Sequence, residues 1–261
     1  MQQVKRIHVR GTPIADGRVP AICTPLVGRT PDDVLAEASA VLPKRPDAIE
    51  WRVDGFAGIG DTALVLDTAH RLRERSGATP IIFTRRSTAE GGSPIPLGEP
   101  QVLDLYAAVC GSGAVDIVDY ELSNDAANRA RVRELTRASG VALILSFHDF
   151  GGTPDAATLA AKYAAAHREG ADIAKVSVMA RDPGDVLVLL GASLEASRAL
   201  PLPLVSISMG GLGTLSRIAG GVYGSALTFA VGKASSAPGQ VPIEDLRAAL
   251  ALVGGEGGRH R

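Results

Sequence analysis

One unit returns eight times along this chain: a short β-like run, a turn, then an amphipathic helical run, at roughly 30-residue spacing. The strand-like runs fall at 21–27, 48–53, 80–85, 115–121, 141–147, 173–179, 203–208 and 225–231. Helical patterns at 31–42, 62–75, 101–110, 125–139, 155–169, 184–199, 211–219 and 243–253 alternate with them. Alternation of this kind predicts a parallel sheet, and eight units predict a closed (β/α)8 TIM barrel. A doubly wound open sheet is the rival, and it would be expected to show Gly-x-Gly-x-x-Gly after its first strand. The first turn reads Leu26-Val27-Gly28-Arg29-Thr30-Pro31 instead. Thr30-Pro31-Asp32-Asp33 and Thr153-Pro154-Asp155 each read as a capping hydroxyl ahead of a proline in the first helical turn. Residues 4–19 read as an N-terminal β-hairpin or arm covering the N-terminal end of the barrel. A single domain is expected over 1–253, with 1–20 as its arm and 254–261 as a disordered tail.

Composition excludes several classes. At 261 residues and 46% hydrophobic content, the chain can bury a sizeable core. A net charge of −1, with no long run of either sign, argues against a nucleic-acid partner. No apolar run reaches the ~18 residues needed to cross a membrane, and the first residues hold no hydrophobic signal region. A cytoplasmic protein is expected. The two cysteines, Cys23 in a strand and Cys110 in a helical run, read as inert core thiols. No Cys-x-x-Cys or His/Cys cluster suggests a metal, and none is expected.

Against this frame the run Ile173-Ala174-Lys175-Val176-Ser177-Val178-Met179 is anomalous. It is a buried strand with a lysine at its centre. Lysine is seldom buried without a partner. The other lysines, Lys5, Lys44, Lys162 and Lys233, fall at expected surface positions. Active sites of such barrels lie at the C-terminal ends of the strands, where several polar residues of this chain fall. Glu50 and Arg52 share a strand face and could pair with each other. Arg86 and Glu90 sit just past a strand end, either at a site or as a solvated loop pair. Asp119 and Glu121 share a face and could hold neighbouring cations. His148 ends a strand and is followed by Asp149 and a Gly-Gly turn. Met209 reads as packing, Arg217 lies near a helix start, and residues 233–240 form a small-residue loop with Ser235, Ser236 and Gln240, either a connector or a lid. A lysine near cations and apolar walls has its ammonium form disfavoured and can attack a carbonyl as a free amine. An adjacent histidine can then move protons. The residues alone lead as far as Schiff-base lyase chemistry on an anionic, hydroxylated substrate.

The segments EWRVDGF, FTRRSTAEGG, VDYELS, SFHDF, GADIAKVSVM, SMGGLGTLSRIAGGVYGSALTFA and KASSAPGQ resemble those of type I 3-dehydroquinate dehydratases, over nearly the whole chain. The resemblance implies dehydration of 3-dehydroquinate to 3-dehydroshikimate through an imine, by syn loss of water, with no cofactor or metal. It implies Lys175 as the imine lysine, His148 as general acid and base, and Glu90 as the assisting carboxylate. Glu50, Arg52 and Arg86 match groups that bind substrate hydroxyls and orient the site, Arg217 the partner of the substrate carboxylate, Ser236 and Gln240 the lid contacts, and Met209 a packing residue. A homodimer is expected. The chain departs from the family in strand one, where Pro25 stands in place of a frequent serine, so that contact is lost or moved to Thr24. Ile207 replaces a common methionine, and Gly211 a polar residue. The alternatives are a class I aldolase or transaldolase, for which the Met209-Gly210-Gly211-Leu212-Gly213 turn could offer amides to a phosphate, and a non-catalytic barrel that senses a metabolite.

Overall fold

A computed structural model of the chain describes residues 5–9, 11–14, 17, 19–233 and 237–254. After a short antiparallel hairpin of β1 (His8–Val9) and β2 (Thr12–Pro13), strands and helices alternate as expected. The strands are β3 (Ala21–Leu26), β4 (Ala48–Arg52), β5 (Ile81–Thr84), β6 (Ile117–Glu121), β7 (Ala142–Asp149), β8 (Ile173–Met179), β9 (Leu204–Met209) and β10 (Leu227–Phe229). The helices between and after them are α1 (Pro31–Val41), α2 (Thr62–Ser76), α3 (Glu99–Gly111), α4 (Ala126–Ser139), α5 (Ala156–Arg168), α6 (Pro183–Ala199), α7 (Thr214–Ala219) and α8 (Ile243–Val253). The eight strands β3 to β10 run parallel in one sheet, with β10 beside β3. A parallel bridge between Leu204 and Ser225, with Ala226 N–H donating to the Leu204 carbonyl, brings the other edge round to close the ring. This is the (β/α)8 barrel. Among the described residues no helix is long and apolar enough to cross a membrane.

Alternate strand residues face the barrel axis. At the N-terminal end these are apolar: Ile82, Ile117, Ile144 and Ile173 join Ile7 and Val9 of the hairpin in one buried cluster, so the arm does cover the barrel floor. One step further along the same faces come Glu50, Asp119 and Lys175, and one step beyond that Arg52, Glu121 and His148. The outward faces carry the larger core. There Trp51, Phe83, Tyr106 and Tyr120 meet edge to face at centroid separations of 5.5–5.7 Å.

Local signals behave mostly as read. Thr30 caps α1 through Asp33 N–H at 3.2 Å, with Asp33 reaching back to Thr30 N–H. Thr153 does not cap α5. Its hydroxyl donates to the Met179 carbonyl, and Asp155 takes the cap by accepting from Thr158 N–H at 2.8 Å. A carboxylate two residues nearer the first turn displaces the hydroxyl. Strand β7 runs through Asp149, so His148 is held inside the sheet rather than ending it.

Candidate active site

Lys175 is the single buried lysine of the five. Its ammonium nitrogen donates to Asp119 Oδ2 at 2.9 Å, lies 3.6 Å from Glu50 Oε1, and stands 4.8 Å over the Phe229 ring. The expectation of cations around this lysine is therefore corrected: its nearest charged neighbours are carboxylates, because β6 and β4 present Asp119 and Glu50 at the same level of the barrel. Arg86 completes the cluster. It contacts Asp119 at 2.9 Å and Glu121 at 3.0 Å and donates to Ser146 Oγ. Burial disfavours both charges, yet Arg86 and Lys175 hold the Asp119 carboxyl well below the ordinary range, and Asp119 and Glu121 hold Arg86 above its own. Buried ion clusters seldom stabilise a fold more than apolar packing would. A polar core at the mouth of an otherwise apolar barrel points to chemistry.

His148 and Glu90 form a second unit. Glu90 Oε2 lies 2.8 Å from His148 Nδ1 and also accepts the His148 backbone N–H at 3.0 Å. Its other oxygen accepts from Ser123 Oγ at 2.7 Å. Glu90 is delivered by a single 3-10 turn, Thr88–Glu90, capped by Ser87 and ended by Gly91 at φ 85°. A Cβ at Gly91 would fall within 2.3 Å of the Phe150 ring, so a side chain is excluded there on two grounds. Burial, then the Arg86 and Lys175 charges, push the imidazole well below its usual pKa of 6.5. Burial and the neighbouring Glu121 push the Glu90 carboxyl up to about 7. The imidazole shift favours the uncharged ring. With Nδ1–H donated to Glu90, Nε2 is free to take a proton.

The arginines divide. Arg52 does not pair with Glu50. The 3-10 turn Val53–Gly55 folds Asp54 back against it, with contacts of 2.8 and 2.9 Å, while Glu50 accepts from Thr84 Oγ1 at 2.9 Å. Arg86 and Glu90 are buried and 3.7 Å apart, not a solvated loop pair. Arg217 is 1% exposed and, among the described residues, donates to the carbonyls of Phe229 (3.4 Å) and Pro238 (3.0 Å). Among the described residues it has no carboxylate partner, and burial brings its pKa down to about 10.

One cavity is lined by Glu50, Arg52, Arg86, Glu90, His148, Lys175, Met209, Arg217 and Gln240. Every expected site residue thus converges there except Ser236, which with Ala234 and Ser235 lies outside the described residues. Thr24 does not replace the missing strand-one serine. It is fully buried and close to Gly232, and Thr24 is not among the cavity residues. The amide of Gly210 in the glycine-rich turn donates to the Pro238 carbonyl, which occupies it within the protein. Ser177, Phe150 and Phe229 also line the cavity, though none carries a charge that marks it in the sequence. The period of two from Lys175 was the available signal for Ser177.

Fold and site together define a (β/α)8-barrel protein whose mouth is an ionic cluster built on a buried lysine. Comparison narrows the class. A family model described as type I 3-dehydroquinase matches residues 22–256, and the chain belongs to that family. It is 54% identical over 253 residues to the 3-dehydroquinate dehydratase of Albidiferax ferrireducens, covering 97% of this chain and 96% of the relative. The crystal structure of the 3-dehydroquinate dehydratase of Geobacillus kaustophilus superposes with a TM-score of 0.94 at 50% identity, covering 99% of each chain. That of the type I enzyme of Clostridium difficile with covalently modified comenic acid superposes at 0.92 with 33% identity, covering 97% of this chain and 99% of the other.

Proposed function

We propose that this chain dehydrates 3-dehydroquinate to 3-dehydroshikimate through an imine on Lys175. The observation that carries the reading is one cavity holding Lys175, the free face of His148, and a buried Arg217 without a carboxylate partner among the described residues. Lys175 Nζ loses its ammonium proton to solvent, attacks the ketone as the free amine, and water is lost. His148 Nε2 takes a proton from the neighbouring carbon, and the electron pair moves toward the nitrogen. The resulting enamine expels the hydroxyl as His148 returns the proton to it. Water then hydrolyses the imine and frees the lysine. Glu90 holds the His148 tautomer, Arg217 takes the substrate carboxylate, and Glu50, Arg52, Arg86 and Gln240 meet its hydroxyls. Ser236 is assigned to the same set by resemblance, and Met209 packs. The covalently modified ligand of the Clostridium difficile relative is in keeping with such a step. Purified protein should convert 3-dehydroquinate to a conjugated enone, read by ultraviolet absorbance. No turnover would overturn the reading.

Two further results follow from the site. Removing one side of a buried charge pair costs ~2–5 kcal/mol, so Arg217→Ala should raise KM by at least roughly 30-fold. Arg217→Lys should restore little, because the two-pronged contact is gone. An unchanged KM in Arg217→Ala would remove Arg217 from the site. The second concerns pH. Glu90 must be ionised to hold Nδ1–H, and its pKa of about 7 belongs to the free enzyme. The profile of kcat/KM should therefore fall as pH drops below about 7, tenfold per unit at its limit. Glu90→Gln should be less active and lack that limb. The same limb in Glu90→Gln would assign it elsewhere.

A further inference from the structure

Ser177 is the next residue of β8 after Lys175 to face the barrel axis, because side chains two apart share a strand face. Strand register sets it opposite His148 on β7 and Ile207 on β9, with neighbouring strands about 4.8 Å apart. It is 4% exposed and lines the cavity. Its hydroxyl makes no hydrogen bond to any described residue. Ser146, the inward-facing serine of β7, is in contrast fully engaged, donating to Asp119 at 2.6 Å and accepting from Arg86 at 2.9 Å. With no partner among the described residues, the hydroxyl is left to solvent in the cavity or to a ligand that displaces it. A substrate filling the cavity can take the place of that solvent as the hydroxyl's partner.

The neighbour decides which atom that is. His148 uses Nδ1 on Glu90, and Nε2 has no partner among the described residues. Two polar groups without a partner among the described residues, one that moves a proton and one that donates a hydrogen bond, thus stand side by side one layer above the lysine. We propose that the Ser177 hydroxyl donates to the substrate oxygen that leaves as water, sharing that oxygen with His148. This rests on the imine reading above. As the carbon–oxygen bond breaks, the enamine electrons form the new carbon–carbon double bond, negative charge grows on the oxygen, and the proton held by His148 completes the water. Ser177 keeps its own proton throughout. Its hydrogen bond strengthens as the charge develops, which is the condition for accelerating the step rather than merely binding substrate.

The test uses the full chain with Ser177→Ala and Ser177→Thr. It reads kcat, borohydride trapping of substrate on Lys175, and the deuterium isotope effect at the carbon that loses its proton. A hydrogen bond to a charged oxygen is worth a factor of roughly ten or more, so Ser177→Ala should lower kcat by about that factor. Its melting temperature should stay put, since the hydroxyl bonds no described residue. Trapping should persist, and the isotope effect should shrink toward unity as carbon–oxygen cleavage becomes the slower step. Ser177→Thr, which keeps the hydroxyl, should retain most of the rate. An unchanged kcat in Ser177→Ala overturns the proposal, as does a lowered kcat with the wild-type isotope effect or without trapping. Absence of trapping in the wild-type protein would instead strike the imine reading itself.

Discussion

Lys175→Ala should be the most damaging single change in the chain. Turnover should fall by roughly 10⁵-fold, the scale on which a positioned intramolecular nucleophile outruns its solution counterpart. The reason is specific to this position. Of five lysines, Lys175 alone is buried, and it alone lines the cavity. Sodium borohydride added to the wild-type protein with substrate should reduce the imine and leave a mass increment on the peptide spanning 170–187. The variant should show none. The loss should not be a folding defect, because the carboxylates left behind keep other partners. Asp119 retains Arg86 at 2.9 Å and Ser146 at 2.6 Å, and Glu50 retains Thr84 at 2.9 Å. A lower melting temperature with an intact circular dichroism spectrum is expected. An increment on Lys5, Lys44, Lys162 or Lys233, or an active Lys175→Ala, would end the assignment.

The second large effect belongs to His148. Positioned proton transfer contributes roughly 10²–10⁴-fold, and His148 serves both the abstraction and the return of the proton, so His148→Ala should lie at the upper end of that range. Its effect should differ in kind from that of Lys175→Ala. The amine is still present, so the imine should form, accumulate and be trapped by borohydride while elimination stalls. The backbone N–H at 148 and the Ser123 hydroxyl still bond Glu90 in the variant, so the barrel should stand. Near wild-type turnover would make His148 a structural residue. Loss of trapping would move its work to imine formation.

The sequence by itself determined the barrel, the strand faces and most of the site. Eight strand–helix units leave little choice of architecture, and a period of two assigns each strand residue to the axis or the outer layer. A lysine amid Ile173, Val176 and Val178 is conspicuous because ionic groups cost free energy in an apolar strand. Family resemblance then attached chemistry to His148, Glu90 and the arginines. Only the tertiary structure decided which charges meet. Lys175 finds Asp119 across 56 residues of sequence, and His148 finds Glu90 across 58. Such pairs are set by ring closure and strand stagger, which no local pattern encodes. The two 3-10 turns at Val53–Gly55 and Thr88–Glu90 were likewise hidden, since three residues carry no periodicity. They matter because one folds Asp54 onto Arg52 and so frees Glu50 for Lys175, while the other lifts Glu90 to the imidazole. Periodicity reports the face on which a side chain lies. Its partner is settled by the rest of the barrel, where burial makes an unpaired charge costly and so favours an arrangement that pairs the charges.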